Sequence, residues 1–249
     1  MTLRARAAEL QVALMLLTRF PAGRIAGPAP GLAASAWAWP LAGLAVGGLS
    51  ALVWSAASGL GLSPLVAALL AVAAAVVATG GMHEDGLADL ADGCGGRDPA
   101  RRLEIMRDSR IGSYGVLALI LSIGLRAAAM AGTAPGGRVV PALIALAVAS
   151  RAGMALWARL LPPARSDGLG HGAARIAPGA VAVALGLAGA ALLALMAGAA
   201  FPLAVALLAG GGAVAAFARS RIGGQTGDVL GAAQQLAEIC GWLVLAALT

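Results

Sequence analysis

Seven of the eleven acidic residues of this 249-residue chain lie within one 25-residue window, and three of them share a helical spacing. Asp85, Asp89 and Asp92 stand at i, i+4 and i+7, so a helix places them on one face. Adjacent carboxylates repel one another and need cations to ionise together. Oxygen-only ligands select hard ions, so we expect Mg²⁺, held by carboxylates, water and a substrate phosphate. A solvated acidic face at a helix end is the alternative interpretation.

Two residues of the same segment point away from this face. Glu84 lies about 100° from Asp85 on a helical wheel, so it completes a metal shell only if the helix is distorted. His83 could be a general base, a phosphate donor or a structural histidine, and the sequence leaves these three roles open.

An arginine-rich segment follows, and its guanidinium groups could bind a polyphosphate. Asp98 and Pro99 have the residue types of an N-cap and a first helical position, which predicts a short helix stabilised by Arg101 and Glu104. The glycine-rich stretch Ser109–Gly115 could offer backbone N–H groups to an anion. The arginines of the segment are Arg97, Arg101, Arg102, Arg107 and Arg110.

A last polar stretch, 219–228, precedes an apolar helix that itself carries polar residues. Polar groups inside a membrane helix are functional candidates, and Asp228 could supply a metal oxygen or a base. Glu238 lies about 15 Å further along the helix, so we expect it to be a packing or ion-pair residue.

The elements that position these residues are membrane helices. The chain is 60% apolar and 11% charged, with a mean hydropathy of +0.90, which excludes an ordinary soluble domain. The apolar runs are continuous, which excludes a β-barrel. We predict an all-α, polytopic integral membrane helical bundle that forms a single domain over 1–249, with about seven (six to eight) transmembrane helices. The predicted spans are Ser35–Ser55, Pro64–Gly80, Gly115–Gly132, Val139–Trp157, Gly179–Ala199, Phe201–Phe217 and Val229–Leu248.

The arginines orient this bundle, because short arginine-rich loops stay in the cytoplasm. Fourteen of them fall on one side and only Arg138 on the other, which places the acidic segment at the cytoplasmic face. Arg126 and Arg151 fall inside or near the ends of spans, and we favour snorkelling over a buried ion pair. Residues 1–21 predict an interfacial or short buried helix. Two cysteines exclude a disulfide framework and a cysteine-based zinc site.

Four motifs, in order over nearly the whole chain, resemble the cobalamin synthase (adenosylcobinamide-GDP ribazoletransferase) family. They are Thr18–Pro21, Thr79–Gly93, Ile105–Gly115 and Gly223–Ala232. The resemblance implies a Mg²⁺-dependent membrane enzyme that joins adenosylcobinamide-GDP to α-ribazole or its phosphate and releases GMP. The chain departs from the family pattern at Met82, where Leu is usual.

The resemblance also implies roles for residues of this chain. Mg²⁺ is expected on Glu84, Asp85, Asp89 and Asp92, and the candidate catalytic residues are His83, Asp85, Asp89 and Asp228. The substrate phosphates are expected on Arg19, Arg102, Arg107, Ser109 and Arg110, with Arg107 where Lys is common. We expect a multi-pass protein of the bacterial cytoplasmic membrane, in contact with lipid, with its active site facing the cytoplasm. An oligomer is compatible with the sequence.

Three other functions fit the sequence less well. The CDP-alcohol phosphotransferases carry the signature D-G-x2-A-R-x8-G-x3-D-x3-D, and only its second half matches, at Gly81, Asp85 and Asp89. A divalent-cation transporter would need carboxylates at mid-membrane, whereas nearly all of these lie at the predicted cytoplasmic edge. Nucleic-acid binding is not expected, because the excess arginine follows the topology and no aromatic platform accompanies it.

Overall fold

The structure is a computed structural model that describes residues 2–168, 172 and 175–249. Within these residues the chain is helical and has no strand, apart from one isolated bridge between Pro163 and Gln225. The predicted all-α class is confirmed. The helices are α1 (Leu3–Leu17), α2 (Leu32–Ser35), α3 (Trp39–Gly59), α4 (Pro64–Thr79), α5 (Met82–Gly93), α6 (Pro99–Ile105), α7 (Ser113–Thr133), α8 (Val139–Leu160), α9 (Pro178–Met196), α10 (Ala200–Arg221) and α11 (Gly227–Ala247).

Each of the seven predicted spans coincides with a helix. Five helical stretches of the described chain are long and apolar enough to cross a membrane, or six if the bent pair α4–α5 counts as one. The longest, Pro178–Arg221, contains both α9 and α10. The start of α9 and the end of α10 both lie beside the end of α8. Arg159 of α8 donates to the carbonyl of Ile176, just before α9. The N–H of Gln225, just after α10, donates to the carbonyl of Pro162, just after α8. We infer that α9 and α10 run in opposite directions.

Small residues let the helices of the bundle approach closely. A Cβ at Gly47 of α3 would lie 2.6 Å from the carbonyl oxygen of Leu143 in α8, and a Cβ at Gly210 of α10 would lie 2.7 Å from the carbonyl oxygen of Leu236 in α11. Large apolar side chains such as Leu52 and Phe201 are exposed on the outside. This division is typical of helices that pack in lipid.

Two glycines separate the acidic helix from the span before it. Gly80 and Gly81 have φ values of 68° and 71°, a left-handed conformation that favours glycine. The axes of α4 and α5 consequently differ by 92°. A Cβ at Gly80 would also overlap the guanidinium group of Arg19. Helix α5 is therefore a separate helix that packs against α7 and α11 and lies outside the five spanning stretches.

The N-terminal helix is too short to cross a membrane. Helix α1 has 15 residues, or about 22 Å, and it packs against α2 and α3. Its Glu9 is buried and accepts hydrogen bonds from Arg6 at 2.7 Å and from the Trp37 indole at 2.6 Å. The prediction of an interfacial or short buried helix agrees with this length.

Candidate active site where helices α5 and α11 meet

Two glycines bring the backbones of α5 and α11 into direct contact. A Cβ at Gly86 would lie 2.8 Å from both Cα and the carbonyl oxygen of Asp228. A Cβ at Gly231 would lie 3.2 Å from Cα of His83. Because no larger residue fits either position without a shift, this contact places Asp228 beside the acidic residues of α5.

The loop before α11 is fixed by backbone pairing with the loop after α8. Gly223 has a φ of 84°, and a Cβ at Gly224 would overlap the carbonyl of Pro162. The Gln225 N–H donates to the Pro162 carbonyl at 2.8 Å, and the Gln225 carbonyl accepts from Ala164 N–H at 2.8 Å. The two glycines of this motif therefore serve loop geometry.

Asp228 is held in the first turn of α11 by its neighbours. The Thr226 side-chain oxygen accepts from the Val229 N–H at 3.3 Å, which caps the helix, and the Thr226 hydroxyl donates to Asp228 Oδ2 at 3.1 Å. Arg165 lies 3.8 Å from the same carboxylate and donates to the carbonyl of Leu103. Sequence reasoning missed Arg165, because its position depends on the loop pairing, for which no local pattern is diagnostic.

Four carboxylates crowd together at this contact, with Asp89 among them. Burial, together with the carboxylates of Asp85, Asp228 and Asp92, raises the pKa of Asp89 to about 7. Asp85 is exposed, and its carboxylate forms no hydrogen bond or ion pair with any residue of the described chain. Arg165 is the cation that partly offsets this crowding. Among the described residues, no group of three or more His, Cys, Asp or Glu side chains is arranged so that it could hold a metal ion.

Asp92 shares the predicted helix face but binds the backbone of α7. Its carboxylate accepts hydrogen bonds from the Gly112 N–H at 2.7 Å and the Gly115 N–H at 2.8 Å. A Cβ at Gly112 would lie 2.5 Å from this carboxylate, and a Cβ at Gly115 would overlap it. The glycine-rich stretch Ser109–Gly115 thus does offer N–H groups to an anion, and that anion is Asp92. Both Asp92 oxygens therefore anchor the start of α7, which gives Asp92 a structural role, and its place among the metal ligands stays a prediction.

Arg126 and Arg151 are buried and do not snorkel. Their side chains are each 3% exposed, and Arg126 pairs with Glu84 at 3.3 Å and with Glu238 at 3.5 Å. Arg151 lies 3.5 Å from Glu238. The preference for snorkelling is wrong, because two glutamates from other helices lie beside these arginines and pair with them. The predicted ion-pair role of Glu238 is confirmed.

His83 and Glu84 belong largely to this interior network. Glu84 Oε1 accepts from Arg126 and, at 3.0 Å, from Gln235. The His83 side chain is 1% exposed, and its Nε2 has no partner in the described part of the chain. Both residues line a small internal cavity of about 30 Å³ that also contacts Arg151. His83 also borders a second space together with Asp85 and Asp228, so its catalytic role stays a prediction.

A larger cleft of about 730 Å³ opens beside the carboxylates, and two arginines border it. Asp85 and Asp89 line it together with Arg19, Arg107 and Ser109, while Glu84 borders both the cleft and the internal cavity. The Arg107 guanidinium contacts Asp167 at 2.8 Å, and both side chains are more than half exposed. The cleft therefore brings oxygen ligands and cationic groups together, as a bound diphosphate requires.

Two arginines predicted to bind phosphate lie outside this cleft. Arg102 donates to the carbonyl of Arg221 at 3.1 Å, which ties α6 to the end of α10. Arg110 is 87% exposed and pairs with Asp108 at 2.6 Å. Hydrogen bonds from Arg110 lower the pKa of Asp108 to about 2. The predicted N-cap of α6 is confirmed, since the Asp98 carboxylate accepts from the Arg101 N–H at 2.9 Å.

Comparisons with known proteins connect this geometry to one family. The family model described as cobalamin-5-phosphate synthase matches residues 9–246. The chain is 48% identical to a Bradyrhizobium diazoefficiens protein named adenosylcobinamide-GDP ribazoletransferase, over 99% of this chain and 96% of that protein. It is 45% identical to a protein of the same name from Mesorhizobium japonicum, over 95% and 92% of the two chains. No solved structure matches.

These matches cover all four polar motifs and every helix that surrounds the carboxylates. The chain therefore belongs to the cobalamin-5-phosphate synthase family of transferases.

Proposed function

We propose that this chain is an adenosylcobinamide-GDP ribazoletransferase, which transfers adenosylcobinamide phosphate from adenosylcobinamide-GDP to α-ribazole or α-ribazole 5′-phosphate and releases GMP. The names and coverage of its relatives support this activity. The observation that carries the proposal is the crowding of the Asp85, Asp89 and Asp228 carboxylates beside a cleft that Asp85 and Asp89 line together with Arg19 and Arg107.

We further propose that the enzyme depends on Mg²⁺, held by one or two of the carboxylates of Asp85, Asp89 and Asp228 together with water and substrate phosphate. The donors are all oxygen, and Asp85 is unpaired within the described chain. Mg²⁺ usually takes one or two carboxylates and completes its shell with water and substrate phosphates. The proposed binding therefore needs no group of three protein carboxylates around the ion. When bound, the ion would neutralise charge on the diphosphate.

The residues of the chain have distinct tasks in the proposed transfer. Arg19 and Arg107 would bind the diphosphate and stabilise the negative charge of departing GMP. A ribose hydroxyl of the nucleoside attacks the phosphorus that carries the cobinamide arm. The new P–O bond forms as the bond to the GMP phosphate breaks, and the hydroxyl proton passes to a side chain of the enzyme. The candidates to accept that proton are Asp85, which lines the cleft, and Asp228 and His83, which border a neighbouring space together with Asp85.

We propose that the site faces the cytoplasm of a bacterial inner membrane, which the chain crosses several times. The arginine-rich loops that surround the carboxylates support this orientation, because such loops are retained in the cytoplasm. A cytoplasmic site would also give nucleotide substrates direct access.

The test is a two-substrate assay with the purified protein in liposomes. Adenosylcobinamide-GDP and Mg²⁺ are supplied with α-ribazole, with its 5′-phosphate, or with no nucleoside, and GMP and the corrinoid product are quantified. We expect equal amounts of GMP and ribazole-containing corrinoid with at least one nucleoside, and neither product without it. GMP release that does not require a nucleoside would indicate hydrolysis and contradict the proposal, as would no release in any arm.

A further inference from the structure

A second, mostly apolar pocket lies beside the cleft, between α5 and α11 on one side and α1, α3 and α8 on the other. It encloses about 220 Å³ and is lined by Leu17, Trp39, Met154 and Leu230, each no more than 5% exposed. Asp85, Asp228 and the buried His83 also border it. Asp85 lines both the pocket and the cleft, so the two spaces meet at this residue.

The size and lining of the pocket limit what it can hold. Its volume is below the ~300–1,000 Å³ of sites for drug-sized ligands, so a corrinoid does not fit whereas a two-ring aromatic group does. Trp39 offers a ring whose orientation is fixed, because its indole N–H donates to Ser35 at 3.2 Å. The Met154 thioether can make favourable contacts with an aromatic ligand. Carboxylates at the border can accept hydrogen bonds from sugar hydroxyls.

We propose that this pocket binds the aromatic base of the nucleoside acceptor and leaves its ribose hydroxyls against Asp85 and Asp228. The inference rests on the proposed function and adds the place of the second substrate. It also gives the direction of attack. An in-line displacement needs the nucleophile and the leaving group on opposite sides of the phosphorus. A nucleoside in the pocket and a diphosphate in the cleft would meet at Asp85, the residue that both spaces share, as such a displacement requires.

The experiment compares two methionine variants that differ in location. Met154→Phe enlarges a side chain in the pocket, whereas Met196→Phe makes the same change at an equally buried position on α9 that does not line the pocket. We expect Met154→Phe to raise the KM for α-ribazole about tenfold or more, the scale of a misfit in an apolar pocket. The KM for adenosylcobinamide-GDP is expected to change less than about twofold, and Met196→Phe to leave both KM values near wild type.

A second measurement keeps the inference testable if Met154→Phe does not fold. Leu17→Ala enlarges the pocket, and equilibrium dialysis of labelled α-ribazole against the purified protein reports binding without turnover. We expect weaker binding of α-ribazole by Leu17→Ala than by wild type. Unchanged affinity of Leu17→Ala for α-ribazole would overturn the inference, and so would equal changes in both KM values. A co-purifying lipid that is lost in the variants while the KM for α-ribazole stays constant would also overturn it. A wild-type protein that transfers no phosphate would instead refute the proposed function.

Discussion

Removing Arg126 tests the buried ion network that holds α5 against the bundle. Arg126 bonds to Glu84 of α5 and to Glu238 of α11, and its side chain is 3% exposed. In Arg126→Leu, Glu238 keeps Arg151 as a partner, whereas Glu84 keeps only the Gln235 amide. The variant therefore leaves one buried carboxylate without a cation at salt-bridge distance, which is the costly outcome for an ion pair.

The structure predicts how much stability Arg126→Leu loses and how that loss ranks against the losses of related variants. Breaking a buried ion pair from one side costs about 3–5 kcal/mol, which corresponds to a fall in melting temperature of about 6–20 °C for a chain of this size. Arg151→Leu is expected to cost less, because Glu84 and Glu238 both keep Arg126. Adding Glu84→Gln to Arg126→Leu removes the orphaned charge, so the double variant is expected to melt above Arg126→Leu.

Melting followed by intrinsic tryptophan fluorescence in detergent measures these differences. Arg101→Leu is the matched control, because Arg101 also pairs with a glutamate, at 2.7 Å, yet both partners are more than half exposed. We expect its melting temperature to stay near wild type. Equal melting temperatures for Arg126→Leu and Arg101→Leu would refute the reasoning. So would a double variant whose loss of melting temperature is the sum of the losses in Arg126→Leu and Glu84→Gln.

Two further predictions concern the contacts around the carboxylates. Gly86→Ala places a Cβ 2.8 Å from the Asp228 backbone, so it should lower kcat at least about tenfold, since displacement of about 1 Å can cost a hundredfold. Gly48→Ala on α3, where a Cβ meets nothing within 4 Å, is its control, and equal GMP release rates would contradict the prediction. Asp92→Asn weakens the hydrogen bonds to α7, so it should lower the free energy of unfolding by about 1 kcal/mol. The half-saturating Mg²⁺ concentration is expected to stay the same. A change in that concentration with no loss of stability would instead identify Asp92 as a metal ligand.

The helices could be predicted from the sequence, because continuous apolar runs and helix caps are local signals. Asp98 caps α6 as its residue type indicates. The clustering of Asp85 and Asp89 also followed from helical spacing. The sequence left open whether Asp228 joins this cluster. The proximity of Asp228 to Asp85 and Asp89 depends on the close backbone contact at Gly86, which joins residues 142 positions apart.

The interior network was predicted wrongly for a related reason. Position along a span does not reveal what neighbouring helices present at the same depth, so Arg126 and Arg151 looked able to reach the membrane surface. The 92° bend at Gly80 and Gly81 also turns α5 away from the axis of α4. Helical spacing alone therefore could not show that Glu84 joins the interior network.

The central claim is that the carboxylates of α5 and α11 bind the metal that this transfer needs, and a Mg²⁺ titration of GMP release by Asp89→Asn tests it most directly. The account predicts that the half-saturating Mg²⁺ concentration rises, or turnover falls, by at least about tenfold relative to wild type. Wild-type turnover with an unchanged Mg²⁺ dependence would contradict it.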